Sequence, residues 1–312
     1  MSKDAQAALL QLLRLLKARD YRFVTATPAS HARVVGRSTM KQACDVRGML
    51  GWSLPFTPGL DDAVEDLLRQ ADMLEPARDG LLRSKLRVSS LAGQLFLHSA
   101  FPTEAADAVF FGPDSYRFAN LIEAELSRQP LRPGAHIVDI GAGAGVGAIV
   151  AALAGDEARI TLTDLNAKAL RLARINAQAA GVPVETVEAE DLDQVADPID
   201  LAVINPPYII DDGNRAYRDG GGMYGAEIPL QMTEMAAARL SEGGRLILYT
   251  GAAIVVGENR LCGAVAKLAD ERSLRFSCRE LDPDVFGEEL DKPAYANVER
   301  IALVAVTLER ES

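Results

Sequence analysis

The chain is poor in cysteine, histidine and aromatic side chains: its 312 residues include three cysteines, three histidines and one tryptophan, and Phe, Trp and Tyr together make up only 5%. Cys44, Cys262 and Cys278 lie far apart, with neither Cys-x-x-Cys spacing nor a histidine companion. That spacing gives no zinc site and no disulfide framework, and leaves buried structural thiols as the expectation. His31, His98 and His136 are equally isolated, and His136, at the start of an apolar run, reads as a packing residue rather than a base. No bound metal is expected. No apolar run approaches the roughly 20 residues of a membrane-spanning helix. Residues 1–20 form an amphipathic Leu/Arg pattern without a signal-peptide cleavage site, so a cytoplasmic location with no membrane partner is expected.

Basic charge is also short. Lys and Arg total 33 against 44 Asp and Glu, a formal net charge of −11. The deficit is uneven: residues 1–118 carry 15 basic against 13 acidic side chains, and the remainder 18 against 31. A long phosphate backbone is repelled by such a field, which favours a small molecule or a protein over nucleic acid as the partner.

What the chain does have is an ordinary globular composition, 48% hydrophobic and 25% charged. From Pro133-Gly134 onward, β-rich runs at about 136–140, 159–163, 184–189, 199–204, 244–250, 274–281 and 299–308 alternate with helical stretches. This pattern predicts an α/β fold, a mostly parallel sheet covered by helices on both faces. In the helix expected at 166–180, Leu170, Ala173 and Ala177 share one face and Gly181 and Pro183 mark the end. A second helix is expected at 226–240, and residues 282–298 read as an ordered loop. The first hundred residues differ. Helices over Ala5–Ala18 and Asp61–Leu74 precede two apolar runs within Arg83–Ser99, split by Ala92-Gly93, which suggests a winged-helix-like module. The predicted division is therefore 1–105 and 106–312. Winged modules bind DNA, cover substrates or dimerise; near-neutral charge disfavours DNA here, and a homodimer through this region is compatible with the sequence.

Two motifs carry the chemistry. Residues 138–147 read Val-Asp-Ile-Gly-Ala-Gly-Ala-Gly-Val-Gly, a strand end followed by a glycine turn that brings backbone close to a ligand at a helix N-terminus. Such turns serve dinucleotides as well as S-adenosylmethionine. Asp164, ending the next strand, suits the ribose hydroxyls of either. Asp139, just before the glycines, suits a cationic sulfonium ligand better than a diphosphate. Glu190-Asp191-Leu192 ends the third strand; Asp191 suits an adenine amino group, a helix cap, or both. Some sixty residues after the glycines comes Asn205-Pro206-Pro207-Tyr208, followed by a glycine-rich segment, Tyr217 to Gly225, that reads as a substrate-side lid or a plain connection.

With these residues in place, the chain resembles the class I S-adenosylmethionine-dependent methyltransferases, specifically the Asn-Pro-Pro-Tyr group that includes release-factor glutamine and adenine-N6 methyltransferases. The resemblance covers about residues 108–310. It implies a Rossmann-like seven-stranded sheet with the last strand antiparallel and S-adenosyl-L-methionine as cofactor. It also implies a site in which Asn205 and Pro206 orient a nitrogen acceptor while Pro207 stiffens the turn and Tyr208 packs against the acceptor. The implied cofactor contacts are Tyr116, Asp139, Gly141, Ala142, Gly143, Asp164, Leu165, Asp191, Leu192 and Asn205. Phe110 to Phe118 lies where the family covers the methionine half, but it lacks the Pro-Arg-Pro pattern of the release-factor enzymes. The expected activity is N-methylation of an amide or amine on a protein or small molecule. A metabolite enzyme, including one methylating sulfur, a cofactor-sensing regulator that binds DNA or protein, and an NAD-dependent oxidoreductase remain alternatives.

Overall fold

The computed structural model describes residues 1–155, 157–211 and 218–311. The N-terminal part holds α1 (Lys3–Ala18), α2 (Pro28–Val35), α3 (Val46–Leu50) and α4 (Asp62–Gln70). Ser2, Thr27, Asp45 and Asp61 cap them, each accepting a hydrogen bond from an amide in the first turn. Two hairpins follow, β1 (Leu74–Pro76) with β2 (Leu82–Ser84), and β3 (Leu86–Leu91) with β4 (Gln94–Ser99). Ala92 and Gly93, at φ 49° and 71°, make the two-residue turn that matches the twist of β3 and β4. The helix expected to reach Leu74 stops at Gln70, because Asp72 turns left-handed (φ 56°) and the chain enters β1. Helices α2 and α3 and the first hairpin are too short to announce themselves by periodicity.

The larger part runs α5 (Pro113–Arg128), β5 (His136–Ile140), α6 (Val146–Leu153), β6 (Arg159–Asp164), α7 (Ala167–Ala180), β7 (Glu185–Glu188), β8 (Ile199–Ile204), a short turn α8 (Gly222–Gly225) and α9 (Glu227–Ala237). It ends with β9 (Leu240–Val255), β10 (Glu258–Asn259), α10 (Arg260–Glu271), β11 (Leu274–Asp282) and β12 (Arg300–Arg310). The main sheet has the order β11-β12-β9-β8-β5-β6-β7, with β10 folded back on the end of β9. Strands β5 to β9 are parallel, whereas β12 lies antiparallel between β9 and β11. Every residue of β5 and β8 is buried, as a strand covered on both faces must be. This is the Rossmann-like seven-stranded arrangement the sequence implied. Residues 282–298 are an ordered connection containing two short 3-10 turns.

One apolar core runs without a break from Leu9, Leu12 and Leu16 of α1 through Phe96 of β4 to Leu170 and Ile175 of α7, and so joins the N-terminal part to one face of the sheet. On the other face, Val138, Ile204, Leu246, Ala236 and Val265 form a second core under α9 and α10. Within the first core, the buried amide of Asn176 on α7 accepts from the Leu97 amide (2.8 Å) and donates to the carbonyls of Leu97 (3.1 Å) and Ala144 (3.0 Å). His136 is buried at the head of β5, its ring nitrogens on the Pro198 carbonyl and the Thr161 hydroxyl.

The cysteine expectation needs correction. Cys262 on α10 and Cys278 on β11 are joined in a disulfide with Cα atoms 6.2 Å apart, and Cys44 is exposed. Helix α10 packs back over the strand that follows it, which brings together two positions that sequence spacing does not pair. Among the described residues no helix is long and apolar enough to cross a membrane.

Replacing Asn176 by Ala strands two acceptors and one donor in the core and should lower unfolding free energy by about 2–4 kcal/mol in urea titration. A midpoint equal to wild type would show that the tie between β4 and the glycine turn contributes nothing.

Candidate active site at the carboxyl ends of the central strands

Ile140 pairs with Thr163 on one side and Ile204 on the other, so β5, β6 and β8 end level. The residues that follow, Gly141, Asp164 and Asn205, are thereby delivered to one edge. Gly141, Gly143 and Gly145 have φ of 70°, 54° and 80°, values that side-chain-bearing residues adopt only with strain. A Cβ on Gly145 would press on Ala173 (3.1 Å). At Gly143 the Cβ direction is open, with nothing within 4 Å, so the turn presents bare backbone to the outside. Ala142 is buried and its amide donates to the Thr163 carbonyl (2.9 Å).

The acidic groups around this turn differ in what they hold. Asp164 accepts from the amides of Gly143 and Asn166, both at 2.8 Å, and burial raises its pKa against the lowering effect of those amides. Asp139 is buried and accepts from the Ala148 amide at 2.8 Å, capping the first turn of α6 from beneath. Burial, opposed by that amide, pushes its pKa up to about 7. Asp191 is exposed and accepts from the Asp193 amide (3.0 Å) in a local turn; no helix follows it, so the helix-cap reading is set aside. Leu165 is exposed beside Asp164, while Leu192 is buried in the core against β8 and offers no surface.

Asn205 is half-buried, and its side-chain amide makes no hydrogen bond to another described residue. Tyr208 is different: only 8% exposed, it donates from its hydroxyl to Asp114 Oδ2 at 2.8 Å. Its ring lies so close to β9 that a Cβ on Gly251 would run into it, and its edge meets Phe286. Tyr208 is thus built into the wall of the site, with its hydroxyl committed to Asp114. Tyr249 of β9 donates to the other oxygen of Asp114 (2.8 Å). Burial, then the Asp114 charge, raises the pKa of both tyrosines. Sequence reasoning passed over Asp114 and Tyr249, since Pro-Asp at a helix start signals only a helix start. Tyr116, two residues on, is half-buried on the N-terminal side, where its hydroxyl accepts from the Thr25 amide (3.0 Å) and its ring edge meets Phe111.

Of the glycine-rich segment, Tyr217 lies outside the described residues. Residues 218–225 are tied to the motif: Ile209 donates to the Arg218 carbonyl (3.1 Å), and Gly220 donates to the Ile209 carbonyl (2.8 Å). Side chains at Gly220 or Gly225 would collide with the backbone of Tyr208. Arg218 pairs with Asp211 (3.4 Å) and with the buried Glu289, and Tyr295 accepts from the Ile210 amide (2.8 Å). The connection 282–298 therefore forms the outer wall of the motif.

A family model for the methyltransferase small domain matches residues 119–258. A release factor glutamine methyltransferase of Deinococcus radiodurans is 32% identical over 200 residues, which span 58% of this chain and 70% of that protein. The chain belongs to this family of S-adenosylmethionine-dependent methyltransferases. A second relative of that description, from Lactococcus lactis, is 28% identical over 150 residues, and the match spans 45% of this methyltransferase and about half (54%) of the relative. The crystal structure of wild-type Trm5b from Pyrococcus abyssi superposes with a TM-score of 0.51 at 13% identity, over 82% of this chain and 70% of that one, and shares the fold.

The raised Asp139 gives the methyltransferase a defined pH signature. The native protein keeps a proton on Asp139 up to about pH 7, whereas the unfolded chain releases it near 3.8. Stability from this group is therefore present at low pH and declines as pH rises between those values. Asp139→Asn should flatten that decline in denaturation midpoints taken from pH 4 to 8. An unchanged slope would mean that Asp139 is ionised in the native state throughout.

Proposed function

We propose that this methyltransferase transfers a methyl group from S-adenosylmethionine to the side-chain amide nitrogen of a protein glutamine. The observation that carries the reading is the half-buried amide of Asn205, without a hydrogen bond to another described residue and held level with the glycine turn at the end of β8. The relatives' description as release factor glutamine methyltransferases supports the same acceptor class.

The cofactor site is tested by what already occupies its backbone. The turn is open at Gly143, Asp164 stands beside it with a carboxylate already serving amide donors, and Leu165 offers apolar surface. These groups fit a nucleoside: Asp164 for the ribose hydroxyls, Leu165 for a face of the adenine, Asp191 for its amino group. Gly141, Ala142 and Gly143 allow close approach of backbone. Asp139 works from below, holding the α6 terminus through Ala148. Bound there, S-adenosylmethionine supplies an electrophilic methyl group and a neutral thioether leaving group.

The remaining work falls to the chain. An amide nitrogen is a poor nucleophile because its lone pair is delocalised into the carbonyl. The Asn205 side-chain oxygen and the Pro206 carbonyl accept its two hydrogens, fix its orientation and favour the charge that develops as the N–C bond forms. The departing N–H proton passes to solvent, since methylation makes it acidic. Pro206 and Pro207 restrict φ and contribute no amide donors, so the turn that carries the two acceptors is stiff. Tyr208, Ile209 and Ile210, pinned by Asp114, Arg218, Gly220 and Tyr295, keep that turn from yielding. Residues 1–105 share a core with α7, and selection of the acceptor protein is the role proposed for them.

The test is transfer of labelled methyl from S-adenosylmethionine to a purified peptide-chain release factor, with transfer RNA and a small-metabolite pool assayed in parallel. Label on a glutamine of the factor is expected. Label confined to RNA or to small molecules would overturn the proposal. Asn205→Ala should lower turnover about 100-fold while leaving S-adenosylmethionine affinity within about twofold, because its interaction is with the acceptor. Full turnover by this variant would remove Asn205 from the role.

A further inference from the structure

We infer that Asp114 is a positioning residue that sets the distance between the acceptor motif and the glycine turn. The inference rests on the proposed methyl transfer for its kinetic arm only. Helix α5 touches both halves of the site within one turn of its own length. At Phe118 it packs against α6 and Asp139: a Cβ on Gly147 would stand 2.8 Å from the Phe118 ring and 2.9 Å from Asp139 Oδ2. Four residues earlier, at Asp114, it meets the motif. Asp114 is 6% exposed, and its carboxylate receives one tyrosine hydroxyl on each oxygen, Tyr208 on Oδ2 and Tyr249 on Oδ1, both at 2.8 Å. Arg117, one turn along the same helix, reaches Oδ1 at 3.4 Å and also pairs with Asp282 (3.7 Å) on the outer wall.

A carboxylate is the side chain this junction needs. Two phenolic hydroxyls converge on it, one per oxygen, and a carboxylate accepts from both, whereas an amide in its place turns a donor toward one of them. The consequence is directional. Tyr208 follows Asn205-Pro206-Pro207 with two stiff residues between, so fixing its ring fixes the turn that carries the Pro206 carbonyl. Tyr249 lies on β9, hydrogen-bonded along β8, so the second oxygen ties the same carboxylate to the sheet from which the motif emerges. Asp114 is buried with each oxygen committed to a tyrosine hydroxyl, so it acts through Tyr208. Displacing an acceptor by a fraction of an ångström from the line of attack slows transfer without weakening either ligand.

The experiment compares wild type with Asp114→Asn and with Tyr249→Phe, which removes one hydroxyl from the junction and no carbon from the core. Two measurements are made on each. Hydrogen exchange at the Ile209 and Ile210 amides, with no cofactor or acceptor added, should accelerate at least about fivefold in Asp114→Asn and by less in Tyr249→Phe. Methyl transfer to the release factor, counted per S-adenosylmethionine-binding site by calorimetry, should show kcat lowered about tenfold in Asp114→Asn with both KM values unchanged. A fall in the number of binding sites with normal kcat per site would reduce Asp114 to a stability residue and overturn the inference. Unchanged exchange and unchanged kcat in both variants would also overturn it. If wild type methylates no release factor, exchange alone decides the positioning role, and the failure belongs to the proposed acceptor.

Discussion

Three parallel strands ending at one level is the constraint on which the site depends. Because Ile140 pairs with both Thr163 and Ile204, the chain leaves the sheet at Gly141, Asp164 and Asn205 along a single edge. A slip of one residue would swap each side chain to the opposite core, since side chains alternate across a strand, and would carry Asp139 and His136 away from the Ala148 amide and the Pro198 carbonyl they bond. Both faces of β5 and β8 are close-packed, so that exchange would also mismatch the two cores. The apolar sequence of these strands thus has a function one step removed: it fixes the register that gathers a turn of bare backbone, a carboxylate and the Asn205 amide.

Around this edge the structure relies on a few buried polar groups, each serving more than one element. Asn176 joins β4 to the glycine turn through Leu97 and Ala144. Asp139 holds the start of α6, and Asp164 the turn before it. Asp114 joins α5, β9 and the Asn-Pro-Pro-Tyr turn. Buried groups of this kind contribute little net stability when satisfied and cost a great deal when one partner is removed. They therefore specify geometry more than they stabilise it. Asn205, half-buried at the centre of this network, is left without a hydrogen bond from the described residues.

The sheet was legible because its strands are apolar runs bounded by Gly, Pro and Asp, and the glycine turn and the Asn-Pro-Pro-Tyr motif because their order matches the chain path between β5 and β8. Legibility stopped where long-range pairing decides. Tyr208 read as an acceptor platform, but its partner Asp114 lies 94 residues away in sequence. Leu192, adjacent to a surface carboxylate, is drawn inward by the core under β8. Cys262 and Cys278 meet because α10 folds back over β11, and 16 residues of separation carry no such signal. The short helices α2 and α3 have too few turns to show a period, and their ends are set by side-chain caps rather than by pattern.

Binding of S-adenosylmethionine to wild type and to Asp164→Ala, followed by titration calorimetry, tests most directly whether the carboxyl-end edge is the nucleoside site. One cofactor per chain is predicted for wild type. The variant should bind at least about tenfold more weakly, through loss of two charge-assisted hydrogen bonds to the ribose. Equal affinity in the two proteins, or binding of a nicotinamide dinucleotide in preference, would contradict the account.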